Sequence, residues 1–266
     1  MNWIDFPVIV LITALTWISG LIIVLAFSRK TLFRRSGILL LIAGTLVLGG
    51  FIAALWIHLG RPPLKTMGET RLWYSFFLAF VALAGFLRWN YMVLPATGIP
   101  MALLFLLINY AHPENYEKTL MPALQSIWFA PHVIVYMLSY ALLGVSSVTA
   151  WIGLYRYYQS RFDRQTLYYA DNLVYLGFSL LTLGLLFGAL WAKEAWGHYW
   201  TWDPKETWAL LTWLIYLIYI HFRYHQPEKN GISLRILAFS YVILLICYMG
   251  LKYLPSAATS VHVYSN

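Results

Sequence analysis

The sequence is poor in charged residues and in cysteine. Charged side chains make up 11% of the 266 residues and apolar ones 61%, against about 25% charged and about 45–50% apolar in an ordinary soluble domain. So few charges cannot cover a soluble particle, which excludes a cytosolic globular enzyme, a disordered protein and a nucleic-acid-binding protein of ordinary design. The one cysteine, Cys247, lies in an apolar run. It excludes an internal disulfide, a cysteine-based zinc site and a CxxCH haem-attachment motif.

Long apolar runs account for most of the chain. A membrane-spanning helix needs about 20 mostly apolar residues, and the sequence has about eight such runs. They are close to Phe6–Phe27, Ile38–Ile57, Leu72–Leu87, Met92–Ala111, Pro131–Tyr155, Leu173–Trp191, Thr207–Phe222 and Leu234–Tyr253. The runs do not alternate in polarity as the strands of a membrane barrel do. We therefore predict an all-α, polytopic transmembrane helix bundle, with residues 1–266 as a single integral membrane domain.

The distribution of charge predicts the orientation of this bundle. Most of the 18 Lys and Arg residues follow the odd-numbered runs, and most of the 10 Asp and Glu residues lie on the other side. Because basic loops stay on the cytoplasmic side, both termini are expected outside, in the periplasm or its equivalent. The loops 58–71, 112–130 and 193–206 are then also outside. The spans contain almost no carboxylates or amines, which argues against an ion pump.

The tryptophan-rich segment 191–208, WAKEAWGHYWTWDPKETW, is the most distinctive stretch. Tryptophan is common at membrane interfaces, but an ordinary aromatic belt does not explain four indoles in about a dozen residues. If the segment is an interfacial helix on the outer face, Trp196, Trp200 and Asp203 lie within about 60° of one another and Trp202 points elsewhere. The indoles then form a flat shelf for a large planar ligand. Simple anchoring in the membrane is the alternative, and the residues leave both open.

The four residues that follow predict the start of a helix. Asp203 is suited to the N-cap position, Pro204 to the first helical position and Glu206 to the third, as in a capping box. We expect this role for Asp203, and a buried catalytic carboxylate is the alternative.

Three of the seven histidines are candidate ligands. His132 begins the fifth run on the outer side, and His262 lies in the outer tail. His221 follows the predicted cap of the seventh helix by about 17 residues, roughly 25 Å along the helix axis, near the inner end of the membrane. Neutral imidazole is a common ligand of haem iron, and a hydrogen-bonded structural role is the alternative for each. The remaining histidines are interpreted as structural: His58, His112, His198 and His225.

These segments together resemble a known family. The run WGxxWxWDPKETW, Trp196–Trp208, is similar to the tryptophan-rich WWD motif of haem-handling proteins, in the form found in cytochrome c biogenesis proteins of the CcsA/ResC type. Four further segments are similar to that family: GRPPLKTMGET at 60–70, SIWFAPHV around His132, YIHFR around His221 and SVHVY around His262. The likeness covers most of residues 55–264. Arg61 stands where the family often has histidine, which leaves the role of that histidine, and of the nearby His58, open.

The resemblance implies a set of site residues. By position, His132 and His262 are the axial ligands of the haem iron, and the segment containing Trp196, Trp200, Trp202 and Asp203 binds the haem. His221 belongs to an inner site where haem is taken up. Its companion histidine comes from a partner subunit of the CcsB/ResB type.

The same resemblance implies the function. The chain is expected to be the haem-handling subunit of a cytochrome c synthase (haem lyase) complex in the bacterial inner membrane, or in the thylakoid membrane if it is a plastid protein. Its cargo is haem b, delivered across the membrane for thioether attachment to the CxxCH motif of apocytochrome c. Two alternatives remain: a haem exporter or chaperone without attachment activity, and a structural membrane subunit. Whether this subunit alone catalyses attachment is also open.

Overall fold

The computed structural model describes residues 2–116, 122–250 and Tyr253, with the side chains of residues 122 and 123 left out. The described residues contain eight long helices and no strand. The helices are α1 Phe6–Ala26, α2 Thr31–Leu59, α3 Met67–Trp89, α4 Val93–Tyr110, α5 Phe129–Tyr158, α6 Arg164–Trp196, α7 Pro204–His225 and α8 Asn230–Leu245. His262 lies outside the described residues.

Seven helices of the described chain are long and apolar enough to cross a membrane. They correspond to α1 to α6 and to α8 with its π-helical extension, and they confirm the predicted polytopic helical bundle. Helix α7 has the length of a span, with 22 residues, but it is not one of the seven. Its tryptophans, tyrosines and charged ends make it less apolar than the other helices.

The chain divides into two compact units, Met1–Lys118 and Thr119–Asn266. The first unit contains α1 to α4, and the second contains α5 to α8. The single membrane domain expected from the sequence stays a prediction.

In the first unit, α1 packs against α2 and α4, and α3 packs against α4 and α2. The fully buried Trp17 donates its indole N–H to Thr45 Oγ1 at 3.2 Å, which joins α1 to α2. Helix α3 begins with a capping box in which Thr66 accepts the N–H of Glu69. Such hydrogen bonds satisfy polar groups that have no water to bond to inside a membrane.

In the second unit, α5 packs against both α6 and α8, and α7 packs against α6 and α8. Ser139 on α5 donates to the carbonyl oxygen of Gly177 on α6 at 2.7 Å. Trp151 on α5 donates to the carbonyl oxygen of Ala238 on α8 at 2.9 Å. Helix α5 is therefore held on two sides, and its first turn carries His132.

Candidate functional site

The tryptophan-rich segment is not one helix, so the predicted interfacial helix is wrong. Helix α6 ends at Trp196. The next residue, Gly197, has a left-handed φ of +84°, and its N–H bonds to the carbonyl oxygen of Lys193. Residues 197–203 form a loop in which Trp202 also has a positive φ, +60°. Glycine adopts this left-handed conformation without a steric penalty and commonly ends helices. The shared face of Trp196, Trp200 and Asp203, inferred from helical spacing, therefore does not exist.

The start of α7 confirms the predicted cap. Asp203 is buried, and its Oδ1 accepts the backbone N–H of Lys205 at 2.7 Å. Glu206 completes the capping box by accepting the backbone N–H of Asp203 at 3.2 Å. The same Glu206 oxygen accepts the backbone N–H of Thr201 at 2.8 Å. One buried carboxylate thus organises both the helix start and the loop that carries Trp200 and Trp202.

His132 lies in an aromatic cluster where α5 meets the last turns of α6. Its ring stacks on Trp191 with centroids 5.5 Å apart and planes 26° apart. Trp196 contacts Trp191 edge to face at 4.8 Å, and Tyr136 contacts the His132 ring in the same manner at 4.7 Å. We call these four residues the His132 cluster. It joins the histidine to the start of the tryptophan-rich segment.

A hydrogen bond to α6 determines which nitrogen of the His132 ring carries the hydrogen. Nδ1 lies 2.8 Å from the carbonyl oxygen of Gly184 on α6, and a carbonyl oxygen only accepts, so Nδ1 carries the hydrogen. In the neutral ring, Nε2 then bears the lone pair. Metal-ligating histidines commonly donate their second ring N–H to a carbonyl in this way, which fixes both the tautomer and the ring. The half-buried His132 is therefore held by α6 in one tautomer and one ring orientation.

Trp200 and Trp202 differ in exposure. The Nε1 atom of Trp200 is buried and has no hydrogen-bond partner among the described residues. Trp202 is 67% exposed and contacts Trp200 edge to face at 5.8 Å. Trp202 thus presents an indole at the surface, where a planar ligand can reach it.

His221 lies near the other end of α7. It is exposed, and its Nδ1 faces the carbonyl oxygen of Leu217 one turn earlier at 3.0 Å. It lines an open pocket of about 390 Å³, whose walls are Tyr175, Ile220, His221, Tyr224 and His225. His225, interpreted from the sequence as structural, shares this pocket, because residues four apart lie on one face of a helix.

An ion pair between α6 and α7 was missed by the sequence analysis. Arg223 on α7 donates from Nη2 to Asp171 Oδ2 on α6 at 2.8 Å. Tyr219 donates to the other oxygen of Asp171 at 2.5 Å. This network fixes α6 against the turn of α7 that carries His221. Arg223 in the segment YIHFR could have predicted this ion pair. An arginine near the end of a membrane helix either pairs with a carboxylate or extends to the membrane interface.

Arg61 is a structural cation. It donates from both terminal nitrogens to Glu69, at 2.8 and 3.0 Å. Glu69 is 1% exposed, so this fork neutralises a buried charge. His58 is exposed in the last turn of α2.

Comparison with known proteins places these features in a family. A model described as cytochrome C assembly protein matches residues 7–258. The cytochrome c biogenesis protein CcsA of Guillardia theta is 33% identical over 249 residues, which cover 82% of this chain and 81% of that protein. The protein of the same name from Trachelium caeruleum is 30% identical and covers 84% and 83%, and that from Solanum tuberosum is 29% identical and covers 77% and 78%. The chain therefore belongs to the cytochrome c assembly protein family.

Proposed function

We propose that this chain is the haem-handling subunit of a cytochrome c synthase complex. Membership in the cytochrome c assembly family supports a role in cytochrome c biogenesis. The observation that carries the finer proposal is the His132 cluster: an imidazole with its Nδ1–H held by the Gly184 carbonyl and its face covered by Trp191. This is the environment expected of a pre-oriented haem ligand.

His132 and His262 form the proposed pair of axial ligands. His262 lies outside the described residues, so its part rests on its position in the SVHVY segment. Trp196, Trp200, Trp202 and Asp203 form the proposed haem-binding segment. Within it, exposed Trp202 offers a face to the porphyrin, and Asp203 acts by holding the loop and the start of α7 in place.

The cargo is haem b, and the covalent chemistry belongs to the haem and the apocytochrome. Each cysteine thiol of a CxxCH motif adds across a haem vinyl group, so that sulfur bonds to one vinyl carbon, hydrogen goes to the other, and no electrons are gained or lost. The only cysteine of this chain, Cys247, is buried and takes no part. This chain holds and orients the haem beside the thiols, which raises their effective concentration.

The proposed route takes haem across the membrane from the end of α7 that carries His221 to the side where α7 begins. Haem is taken up at the pocket of His221, with the companion ligand from a CcsB/ResB-type partner, and is presented at His132 to apocytochrome c. Roughly 25 Å of helix separates His221 from the start of α7, about the thickness of the hydrocarbon core. The proposal takes α7 as an eighth span, so that both termini lie outside, and the membrane is the bacterial inner membrane or the thylakoid. Reporter fusions after Arg35 and after Glu194 test this orientation: inside and outside signals, respectively, are expected, and the reverse defeats it.

A reconstitution experiment tests the proposed function. The full chain is co-purified with its CcsB/ResB-type partner, loaded with haem and mixed with reduced apocytochrome c. The absorbance spectrum of bis-histidine haem and haem-linked cytochrome are both expected. A haem spectrum without attachment favours the exporter or chaperone alternative, and neither signal favours a structural subunit.

A further inference from the structure

Five basic side chains lie at one end of the first unit. Arg29 and Lys30 lie in the turn between α1 and α2, Arg34 and Arg35 lie in the first two turns of α2, and Arg88 lies in the last turn of α3. We call these five residues the basic cluster. All of them except the half-buried Arg34 are exposed. No ion pair of the residues that the structure describes includes any of the five.

Contacts between helices bring the basic cluster together. Arg34 donates from Nη2 to Oδ1 of Asn90, the residue that follows α3. The guanidinium carbon of Arg34 also lies 5.5 Å from the centroid of the Phe86 ring on α3. Arg88 lies between Phe86 and Asn90 in the sequence, so the end of α3 that carries Arg88 is beside the start of α2.

The acidic residues of these helices lie far from the basic cluster. Between residues 6 and 113 the one acid is Glu69, in the first turn of α3. Glu69 precedes Arg88 by 19 residues, about 28 Å along the helix axis, and it is already paired with Arg61. Exposed charges at this separation are several Debye lengths apart at physiological salt. Helices α1 to α4 therefore give the basic cluster no counter-charge.

Apolar side chains surround the cations. The Nζ atom of Lys30 lies 6.0 Å from the ring centroid of Phe27 and 5.8 Å from that of Phe33. Both rings are exposed, as is Leu87 beside Arg88. Helices α1 and α2, which the turn joins, are each long and apolar enough to cross a membrane. Cations at the ends of such helices extend to the headgroups, while the neighbouring apolar side chains face the acyl chains.

We propose that the basic cluster binds an anionic phospholipid, with its phosphate diester at the cations and its acyl chains against the exposed apolar side chains. Basic residues grouped at the end of a membrane helix attract anionic headgroups, and arginine pairs with phosphate through two N–H groups at once. The start of α2 adds partial positive charge, because its N-cap residue, Lys30, makes no side-chain cap. The site extends beyond the proposed haem function and does not depend on it.

The apolar surroundings favour a lipid over a soluble phosphate. A soluble anion would leave the Phe27 and Phe33 rings exposed, whereas the acyl chains of a lipid cover them. The corresponding turn of the second unit, between α5 and α6, differs in charge: Asp163 lies between Arg161 and Arg164. That turn has an acid of its own beside its arginines and therefore supplies a control.

The proposal is tested by native mass spectrometry of the full chain in detergent micelles. The probes are dioleoylphosphatidylglycerol, which is anionic, and dioleoylphosphatidylcholine, which has the same acyl chains and no net charge. We expect the wild type to bind phosphatidylglycerol more tightly. Loss of one cation near a lipid surface weakens the attraction about fivefold, so the double variant Arg29→Gln and Arg35→Gln should weaken phosphatidylglycerol binding about 25-fold and leave phosphatidylcholine binding unchanged.

Two further double variants separate charge from folding. Arg161→Gln with Arg164→Gln removes two exposed arginines from the control turn, and it should keep the preference of the wild type. Arg29→Lys with Arg35→Lys retains both charges and should keep most of the binding. Equal affinity of the wild type for the two lipids overturns the proposal. So does unchanged phosphatidylglycerol binding in the first double variant, or an equal loss in the control or in the lysine variant.

A competition experiment distinguishes a lipid from a soluble ligand. Glycerophosphoglycerol has the headgroup of phosphatidylglycerol without the acyl chains. At millimolar concentration it should leave bound phosphatidylglycerol in place, because the acyl chains contribute to binding. Displacement at that concentration overturns the lipid assignment in favour of a soluble phosphate diester. Because the experiment contains no haem, its result is independent of the proposed function.

Discussion

His132 Nδ1 on α5 lies 2.8 Å from the carbonyl oxygen of Gly184 on α6. These residues are 52 positions apart in the sequence, so the hydrogen bond depends on how α5 and α6 pack. It determines which nitrogen of the ring carries the hydrogen and which bears the lone pair. The two helices therefore prepare the imidazole for the role proposed for it.

Loss of an axial ligand should be reversible with free imidazole. His132→Gly and His262→Gly each remove one imidazole, and added imidazole fills the open coordination position. We expect weakened haem retention in both variants, with partial recovery of the spectrum and of cytochrome c assembly at millimolar imidazole. His198→Gly is the control, because His198 is exposed in the neighbouring loop, and it should retain the wild-type spectrum. Wild-type spectra for the first two variants without imidazole would show that the axial assignment is wrong.

Crowding His132 should disturb haem binding without removing any ligand. A Cβ atom added at Gly188 would stand 2.8 Å from Cε1 of the His132 ring, so Gly188→Ala forces the ring to move. Overpacking of this kind costs about 1–3 kcal/mol. We expect a lower unfolding midpoint and a shifted haem spectrum. Gly50→Ala is the matched control, since a Cβ atom there meets nothing within 4 Å. If haem binding is unchanged in Gly188→Ala as well as in the control, the assigned position of the His132 ring is wrong.

Substitutions at two tryptophans should distinguish an effect on stability from a direct effect on haem binding. Trp191 is 7% exposed and stacks on His132, so Trp191→Ala should cost about 3–5 kcal/mol of stability and haem binding with it. Trp202 is 67% exposed, and truncating an exposed side chain changes stability by only about 0.5 kcal/mol. Trp202→Ala should therefore keep the unfolding midpoint and lower haem retention. Full haem retention in Trp202→Ala removes this residue from the proposed site.

The cap of α7 should tolerate asparagine and not alanine. Asp203→Ala loses the bond to the Lys205 N–H and costs about 0.5–2 kcal/mol, whereas asparagine caps nearly as well as aspartate. The variant Asp163→Ala removes the comparable cap of α6. Its loss of unfolding free energy, measured by thermal unfolding, is the reference for Asp203→Ala. If Asp203→Asn expresses normally and yet loses haem, the carboxylate acts directly on the ligand and capping is an insufficient account.

Some of the candidate site was predictable because it depends on neighbours in the sequence. The pattern Asp203-Pro204-Lys205-Glu206 contains its own cap, first-turn proline and third-position glutamate, so the start of α7 followed from local chemistry. Gly197 carried an equally local signal, a glycine after a helical stretch that ends in aromatic and basic residues. The prediction of a shared face for Trp196, Trp200 and Asp203 was wrong because it continued the helical period past Gly197.

By itself, the sequence determined that the chain is a helical membrane protein with about eight apolar runs, because hydrophobicity and length act locally and hold whatever the helices pack against. Its short motifs also determined the family. Only the tertiary structure decided which residues meet: His132 with Gly184 and Trp191, Asp171 with Arg223, and Arg61 with Glu69. Such pairings depend on helix packing, since each helix has several faces and its sequence alone does not state which neighbour each face contacts.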